Sequence, residues 1–153
     1  MTHTRPEMTL IYLRSETKPF ERRSALTPAT AESLQNYGYD VRVERSSMRI
    51  FDDEEFEERG LKMVPEGSWK EAADDALILG VKEFPADATF PLRHTHIHFA
   101  HCYKGQEGWQ KVLRRLVEGE GTLLDLEFLQ DERGRRVAAF GYRAGLLVRH
   151  SVS

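Results

Sequence analysis

Short apolar runs alternate with segments of helical periodicity along most of the chain. Strands are predicted at five of these runs, residues 9–13, 40–44, 61–64, 76–82 and 96–103. Helices are predicted between them, at residues 27–38, 52–60, 68–75 and 106–121. This alternation predicts an α/β fold with a mostly parallel, Rossmann-like sheet, right-handed crossovers and flanking helices.

Local signals set several of the predicted helix boundaries. Thr27 is a candidate N-cap, Pro28 suits the first helical position, and Gly38 can end the same helix. Ser68 and Glu71 have the spacing of a capping box, which predicts that Ser68 caps the helix that follows. In the late helix, one apolar face is predicted, made of Trp109, Val112, Leu113, Leu116 and Val117.

The end of the chain has a different pattern. Residues 123–130 and 135–141 are two apolar runs separated by the turn sequence DERG, which predicts a late antiparallel hairpin. The glycines of residues 118–122 close a helix rather than open one, and no strand is followed by G-x-G-x-x-G. The Rossmann-like sheet is therefore predicted to lack the nucleotide-binding glycine motif.

Composition narrows the class of protein. The chain has 153 residues, 40% of them apolar, and a net charge of −3, so neither nucleic acid nor a membrane is expected as a partner. The longest apolar runs fall far short of a membrane span, and the N-terminus does not resemble a secretory signal. Cys102 is the only cysteine, which fits a reducing compartment. We therefore expect one cytoplasmic domain with a small-molecule or protein ligand.

The ends of three predicted strands suggest where chemistry could occur. Arg14, Lys82 and His101 follow the runs at 9–13, 76–81 and 96–100, and ligands bind outside the carboxyl ends of parallel strands. A lysine and a histidine at one sheet edge can accept and donate protons. The alternative is structural: Lys82 would extend to water and His101 would be a hydrogen-bonded core imidazole.

Basic residues cluster in two segments, and arginine suits carboxylates or phosphates. The first segment follows the first strand, and the second follows the late turn: Arg14, Lys18, Arg22 and Arg23, then Arg135 and Arg136. They suggest a small polyanionic ligand. The alternative is a solvated loop whose cations pair with local acids such as Glu16, Glu21 and Asp131.

Histidines are concentrated between residues 94 and 101. His94, His96 and His98 alternate and therefore share one face of a strand, whereas His101 is at odd spacing and faces the other way. Alternate positions on a strand are about 6–7 Å apart, which makes tetrahedral ligation by all three difficult. No metal site is therefore expected, and the three alternating histidines are interpreted as structural.

Six longer segments resemble a known family: LRSETKPFERRSALTP, VPEGSWKEA, GVKEFP, FPLRHTHIHFAHCYKGQEGWQKVL, GTLLDLEFL and GRRVAAFG. Together they cover about residues 9 to 141 and resemble the N-terminal domain of the fungal, lysine-forming saccharopine dehydrogenases, relatives of alanine dehydrogenase and transhydrogenase. The resemblance implies an enzyme of lysine biosynthesis that uses NAD to oxidise saccharopine. The product imine is then hydrolysed to lysine and 2-oxoglutarate.

The resemblance also implies roles for individual residues. Lys82 matches the proton acceptor of the family, and His101 matches its proton donor. Arg135 matches a position that reaches the dinucleotide. The implied substrate contacts are Arg23, Gln106, Arg136 and Phe140, with Lys18 and Lys104 adding positive charge to the pocket.

Similarity to the family fades after about Gly145. We expect residues 1–145 to form the substrate domain and residues 146–153 to be an unrelated tail of a truncated chain, with the main NAD-binding domain missing. Exposed apolar surface would then favour self-association. The alternative to an enzyme is an inactive module that binds saccharopine or a dicarboxylate, or pairs with a full-length homologue.

Overall fold

The structure, a computed structural model, describes residues 9–82, 84, 90–99, 109–125, 133, 138–140 and 146–148. Its main sheet has six parallel strands in the order β3-β2-β1-β4-β5-β6. The strands of this sheet are β1 (Leu10–Leu13), β2 (Asp40–Glu44), β3 (Lys62–Val64), β4 (Leu77–Lys82), β5 (Thr95–Phe99) and β6 (Thr122–Asp125). The predicted parallel α/β sheet is confirmed.

Three α-helices and one 3-10 helix connect the strands. The α-helices are α1 (Pro28–Asn36), α2 (Asp53–Glu57) and α3 (Trp109–Gly119), and the 3-10 helix covers Ser68–Glu71. Thr27 caps α1 through its side chain, which accepts a hydrogen bond from Thr30 N, and Pro28 begins the helix as predicted. Gly38 follows α1 with a φ of 107°, a conformation that glycine adopts without strain.

The predicted capping box at Ser68 is wrong. Residues 68–71 form a 3-10 helix whose N-cap is Gly67, with a φ of 80° and no side-chain capping bond. The Ser68 hydroxyl is buried and has no hydrogen-bond partner among the described residues. The backbone N–H groups at this turn bond instead to a buried carboxylate, because Gly67 N and Trp69 N both donate to Glu44.

Alternation along the strands separates two cores. Leu13 and Val81 pack with α1 and α2 in one buried cluster, whereas Tyr12 and Ile78 belong to a second cluster with Trp69. Since neighbouring residues of a strand point to opposite faces, the sheet is covered on both faces. This burial explains the nearly continuous apolar sequence of β4.

The buried face of α3 is narrower than predicted. Leu116 is buried, but Val117, which the periodicity placed on the same face, is 78% exposed. Arg115 is buried instead, and its Nε donates to the carbonyl of Phe90 at 2.9 Å. The arginine also lies over the Phe90 ring, 4.3 Å from its centroid, which gives the charged group an aromatic neighbour. The prediction for Val117 was wrong, and the side chains at residues 109, 112 and 113 lie outside those described.

The predicted late hairpin, at residues 123–130 and 135–141, falls largely outside the described residues, which include only 123–125 and 138–140 of its two strands. β6 is the edge strand of the main sheet and pairs with β5 in parallel. A separate antiparallel pair joins β7 (Ala138–Phe140) to β8 (Leu146–Val148). The antiparallel element therefore exists, but its second strand comes from the segment that was expected to be an unrelated tail.

In the described part of the chain, no helix combines the length and the apolar composition needed to cross a membrane.

Candidate functional site

A cleft opens at the carboxyl end of β4, around Lys82. Its volume is about 500 Å³, and its walls are Lys82 and residues of the loop that follows β1, namely Lys18, Pro19, Phe20, Glu21, Arg22 and Arg23. Three residues proposed from the sequence, Lys18, Arg23 and Lys82, are therefore brought together. Cations on both sides of an open cleft favour a ligand with more than one carboxylate or phosphate.

The backbone of Lys82 is held by two buried charged side chains. The Lys82 N–H donates to one carboxylate oxygen of Glu16 at 2.8 Å, and the Val81 N–H donates to the other at 3.0 Å. Arg14 donates to the Lys82 carbonyl and pairs with Glu16 at 3.5 Å. The backbone N–H and C=O groups of Lys82 thus both have buried side-chain partners.

This arrangement coincides with an irregularity in the sheet. The pairing of β4 with β5 shifts register between Leu79 and Lys82. A β-bulge of this kind redirects the side chains that follow it and is common near active sites. Gly80 lies within the irregular segment, and a Cβ there would be only 2.6 Å from Arg14 Nε. Glycine at this position therefore leaves room for the buried guanidinium.

In the buried ion pair of Arg14 and Glu16, the pKa of Glu16 is raised. Burial raises the pKa of its carboxyl group above the ordinary value, because it disfavours the charged form. Arg14 and the two backbone hydrogen bonds act in the opposite direction and only partly offset burial. The carboxylate is therefore stabilised chiefly by groups that also fix the end of β4.

A second ion pair forms part of the cleft wall. Arg23 donates from Nη2 to Glu21 at 2.6 Å and from Nε at 3.0 Å, a bidentate contact that fixes both side chains. Burial acts to raise the pKa of Glu21, but these hydrogen bonds and the nearby charges of Arg23 and Lys82 lower it overall. Arg23 remains partly exposed, at 38% of its side-chain surface. The pair thus holds a guanidinium at the rim of the cleft.

Glu44, at the end of β2, ties together the loops at this edge of the sheet. It is fully buried. Its carboxylate accepts hydrogen bonds from Ser15 N at 3.0 Å, Gly67 N at 3.0 Å and Trp69 N at 2.9 Å. A buried carboxylate needs such donors to offset the loss of water. The loops that follow β1 and β3 are therefore anchored to one acceptor.

The alternating histidines lie on one buried face of β5, as predicted. Neighbouring ring centroids are 6.2 Å apart for His94 and His96, and 6.1 Å apart for His96 and His98. Trp69 packs edge-on against His96, with 5.1 Å between centroids. Burial lowers the pKa of His96 to about 3, with smaller contributions from the nearby charges of Arg14 and Arg115 and from the neighbouring ring of His94. Among the described residues, no group of three or more His, Cys, Asp or Glu side chains is placed to hold a metal ion.

Several predicted site residues lie outside the described residues. These are His101, Lys104, Gln106, Arg135 and Arg136, while Phe140 is described only as part of β7. Their proposed roles therefore stay predictions. The alternative for the basic loop, pairing with local acids, is partly confirmed: Arg14 contacts Glu16 and Arg23 contacts Glu21.

Sequence reasoning missed how deeply the polar residues around the cleft are buried. Arg14 was expected at the sheet edge and Glu16 in a solvated loop, but both are buried, as is Glu44 at the end of β2. One signal was present: charged residues follow directly after apolar strands whose carboxyl ends meet at one edge. That position alone does not distinguish a buried support from an exposed ligand contact.

Comparison with protein families gives one match that covers most of the chain. The model of the alanine dehydrogenase/PNT N-terminal domain matches residues 12–147. Among solved structures, an L-alanine dehydrogenase superposes with a TM-score of 0.65 at 20% identity, covering 82% of this chain and 34% of that one. A transhydrogenase from Sinorhizobium meliloti gives the same TM-score at 21% identity, covering 81% of this chain and 35% of that one. At these identities, the structural likeness shows the fold.

Curated relatives are much closer in sequence. A saccharopine dehydrogenase (NAD(+), L-lysine-forming) of Schizosaccharomyces pombe is 62% identical over 135 residues, which is 88% of this chain and 37% of that protein. The protein of the same name in Emericella nidulans is 63% identical over 136 residues, 88% of this chain and 36% of that protein. A mitochondrial alpha-aminoadipic semialdehyde synthase of Bos taurus is 35% identical over 87% of this chain and 14% of that protein. The chain thus spans little more than a third of the fungal relatives.

Proposed function

The chain belongs to the alanine dehydrogenase/PNT N-terminal domain family, and from that premise we propose that it is the substrate-binding part of a lysine-forming saccharopine dehydrogenase. Two relatives of that name, more than 60% identical over 88% of the chain, support the assignment. The observation that carries it is the cleft lined by Lys82 together with three other cations, Lys18, Arg22 and Arg23. These three cations suit saccharopine, a secondary amine with three carboxylates.

In this proposal, the cations bind the carboxylates and Lys82 accepts the proton of the substrate amine. The carboxylate of Glu16 and the guanidinium of Arg14 hold the Lys82 backbone, so the lysine reaches the cleft from a fixed position. His101 is proposed as the proton donor when water adds to the imine. Gln106, Arg136, Phe140 and Lys104 are proposed as further substrate contacts.

NAD is the proposed cofactor, and when bound it supplies the hydride acceptor. The described residues fit the substrate better than the dinucleotide. The glycines at the end of α3 pack against the backbone of Leu92, where a Cβ would overlap it, so they serve helix–strand packing. Arg135 is the residue proposed to contact NAD.

Calorimetric titration of the 153-residue chain with saccharopine, lysine and 2-oxoglutarate tests the proposal. Arg23→Gln is expected to weaken saccharopine binding about tenfold or more, because a charge-assisted hydrogen bond to a carboxylate is lost. Arg59→Gln is the matched control: Arg59 is also a partly exposed arginine in an ion pair, but it pairs with Glu32 and does not line the cleft. If none of the three compounds gives heat, the proposal is refuted.

A second candidate is a module that binds saccharopine or a dicarboxylate such as 2-oxoglutarate without hydride transfer, or that pairs with itself or a full-length homologue. The cations that line the cleft favour it, because they would also suit the carboxylates of such a ligand. Formation of NADH from saccharopine and NAD, lost in Lys82→Met, would support the enzyme. Binding without NADH would support the module, and light scattering after size exclusion would detect self-association.

A further inference from the structure

Phe20 occupies a position that its own backbone disfavours. The Glu21 N–H bonds to the Lys18 carbonyl, which closes a four-residue turn with Pro19 second and Phe20 third. Phe20 has a φ of 65°, in the left-handed region. A turn with proline second and positive φ third normally has glycine or asparagine there, because a Cβ is strained in this conformation.

The ring is exposed where it could contact a ligand. Phe20 is 92% exposed, the highest fraction among the large exposed apolar residues of the described chain. It lines the same cleft as Lys18, Arg23 and Lys82. The core therefore gains nothing from this side chain, and its local backbone is strained by it. Strained residues of this kind are typical of functional sites, where the cost is retained for a role in binding.

The composition of the cleft suggests that role. Of its seven lining residues, five are charged, and Phe20 and Pro19 provide the apolar surface. A ligand of carboxylates alone would need only the cations, whereas a ligand with a hydrocarbon segment between its carboxylates would also gain from an apolar wall. An aromatic ring beside three cations is complementary to such an amphipathic ligand.

We propose that Phe20 is a specificity-determining residue of the cleft, which covers the hydrocarbon segment of a long-chain amino acid with several carboxylates while the cations bind its ends. This inference rests on the proposed function and extends it, because it explains how a long ligand is distinguished from a short dicarboxylate. The ring removes methylene groups of the ligand from water, and each additional buried methylene strengthens binding.

Two probes and two variants test the inference. Saccharopine is the long probe and 2-oxoglutarate the short one, and both are titrated calorimetrically into the wild-type chain, Phe20→Leu and Phe20→Gly. Saccharopine affinity is expected to fall about threefold in Phe20→Leu and about tenfold in Phe20→Gly, while 2-oxoglutarate affinity changes less than about twofold. The preference for the long ligand therefore falls together with the apolar area at position 20.

Thermal unfolding separates this role from a structural one. Phe20→Gly is expected to raise Tm by a few degrees, because glycine adopts the left-handed conformation without strain. Glu120→Gly is the matched control, since Glu120 also has a positive φ, of 56°, but does not line the cleft. It should raise Tm without changing either affinity.

Equal saccharopine affinity in wild type, Phe20→Leu and Phe20→Gly would overturn the role of Phe20 and leave the proposed function standing. No binding of either probe by the wild-type chain would overturn both. A fall in Tm for Phe20→Gly would show that the ring supports the fold, which contradicts the inference.

Discussion

Replacing His96 by leucine is expected to make the stability of the chain less sensitive to acid. His96 is fully buried between its neighbouring histidines, Trp69 and Phe84, and neither of its ring nitrogens has a hydrogen-bond partner among the described residues. The neutral ring fits this apolar site, whereas the imidazolium would be buried without an acceptor and close to the charges of Arg14 and Arg115.

The size of the effect follows from the two protonation equilibria. The pKa of His96 is lowered from 6.5 to about 3 in the fold, so in acid the unfolded chain takes up a proton that the folded chain does not. Above pH 6.5, His96 therefore does not reduce the free energy of unfolding. As the pH falls from 6.5 toward 3, the free energy of unfolding decreases, because only the unfolded chain is protonated at this residue. The loss is about 2 kcal/mol at about pH 5 and approaches about 5 kcal/mol below both values.

Urea unfolding followed by tryptophan fluorescence measures this loss, since Trp69 lies in the same core cluster. The free energy of unfolding is compared at about pH 7.5 and about pH 5 for wild type and His96→Leu. The difference between the two pH values should be about 2 kcal/mol smaller in the variant. Other groups contribute too, including Glu16, whose raised pKa favours the fold in acid, but they act equally in both proteins.

Ile78→Val is the matched control. Ile78 is buried in the same cluster and does not titrate, so this change should lower stability by about 1 kcal/mol at both pH values. Parallel dependence on pH in wild type and His96→Leu would refute the assignment of acid sensitivity to this buried histidine.

Two further predictions concern packing. Gly80→Ala is expected to destabilise the chain by about 2 kcal/mol, because the added methyl group overlaps the buried Arg14 guanidinium, and thermal unfolding measures it. An unchanged Tm would mean that the arginine is easily displaced. Leu116→Ala should cost about 2–3 kcal/mol in urea unfolding, whereas Val117→Lys should stay within about 0.5 kcal/mol, because only the first side chain is buried. Equal losses of stability in the two variants would mean that Val117 is part of the buried face of α3, as the periodicity predicted.

Elements determined by local chemistry could be predicted from the sequence. The boundaries of α1 follow from Thr27, Pro28 and Gly38, each of which acts on its own backbone or on backbone within three residues. The shared face of the three alternating histidines follows from strand geometry. The edge that carries Lys82 follows from the direction of parallel strands.

The errors arose where a distant partner decides the outcome. Ser68 does not cap its helix, because the 3-10 turn begins one residue earlier, with Gly67 at the N-cap. Glu44, distant in sequence, holds this turn by accepting hydrogen bonds from Gly67 N and Trp69 N. Val117 has helical periodicity, but Arg115 occupies the neighbouring buried position through its contacts with Phe90. For the late hairpin, the described residues show two pairings that were not predicted: β6 pairs with β5, and the strand at residues 138–140 pairs with β8. Residues 126–130 and 135–137 of the predicted hairpin lie outside the described part of the chain.

Glu16 and Arg14 fix the backbone of Lys82 and not its side chain, so the position of the backbone does not depend on the chemistry of the side chain. Both side chains bond to the backbone N–H and C=O of residue 82, and these groups are the same whichever amino acid stands there. Exchange of the lysine for another side chain should therefore leave the path of the chain unchanged. A new nucleophile, base or unnatural amino acid can therefore be introduced at position 82 without redesign of the strand that carries it.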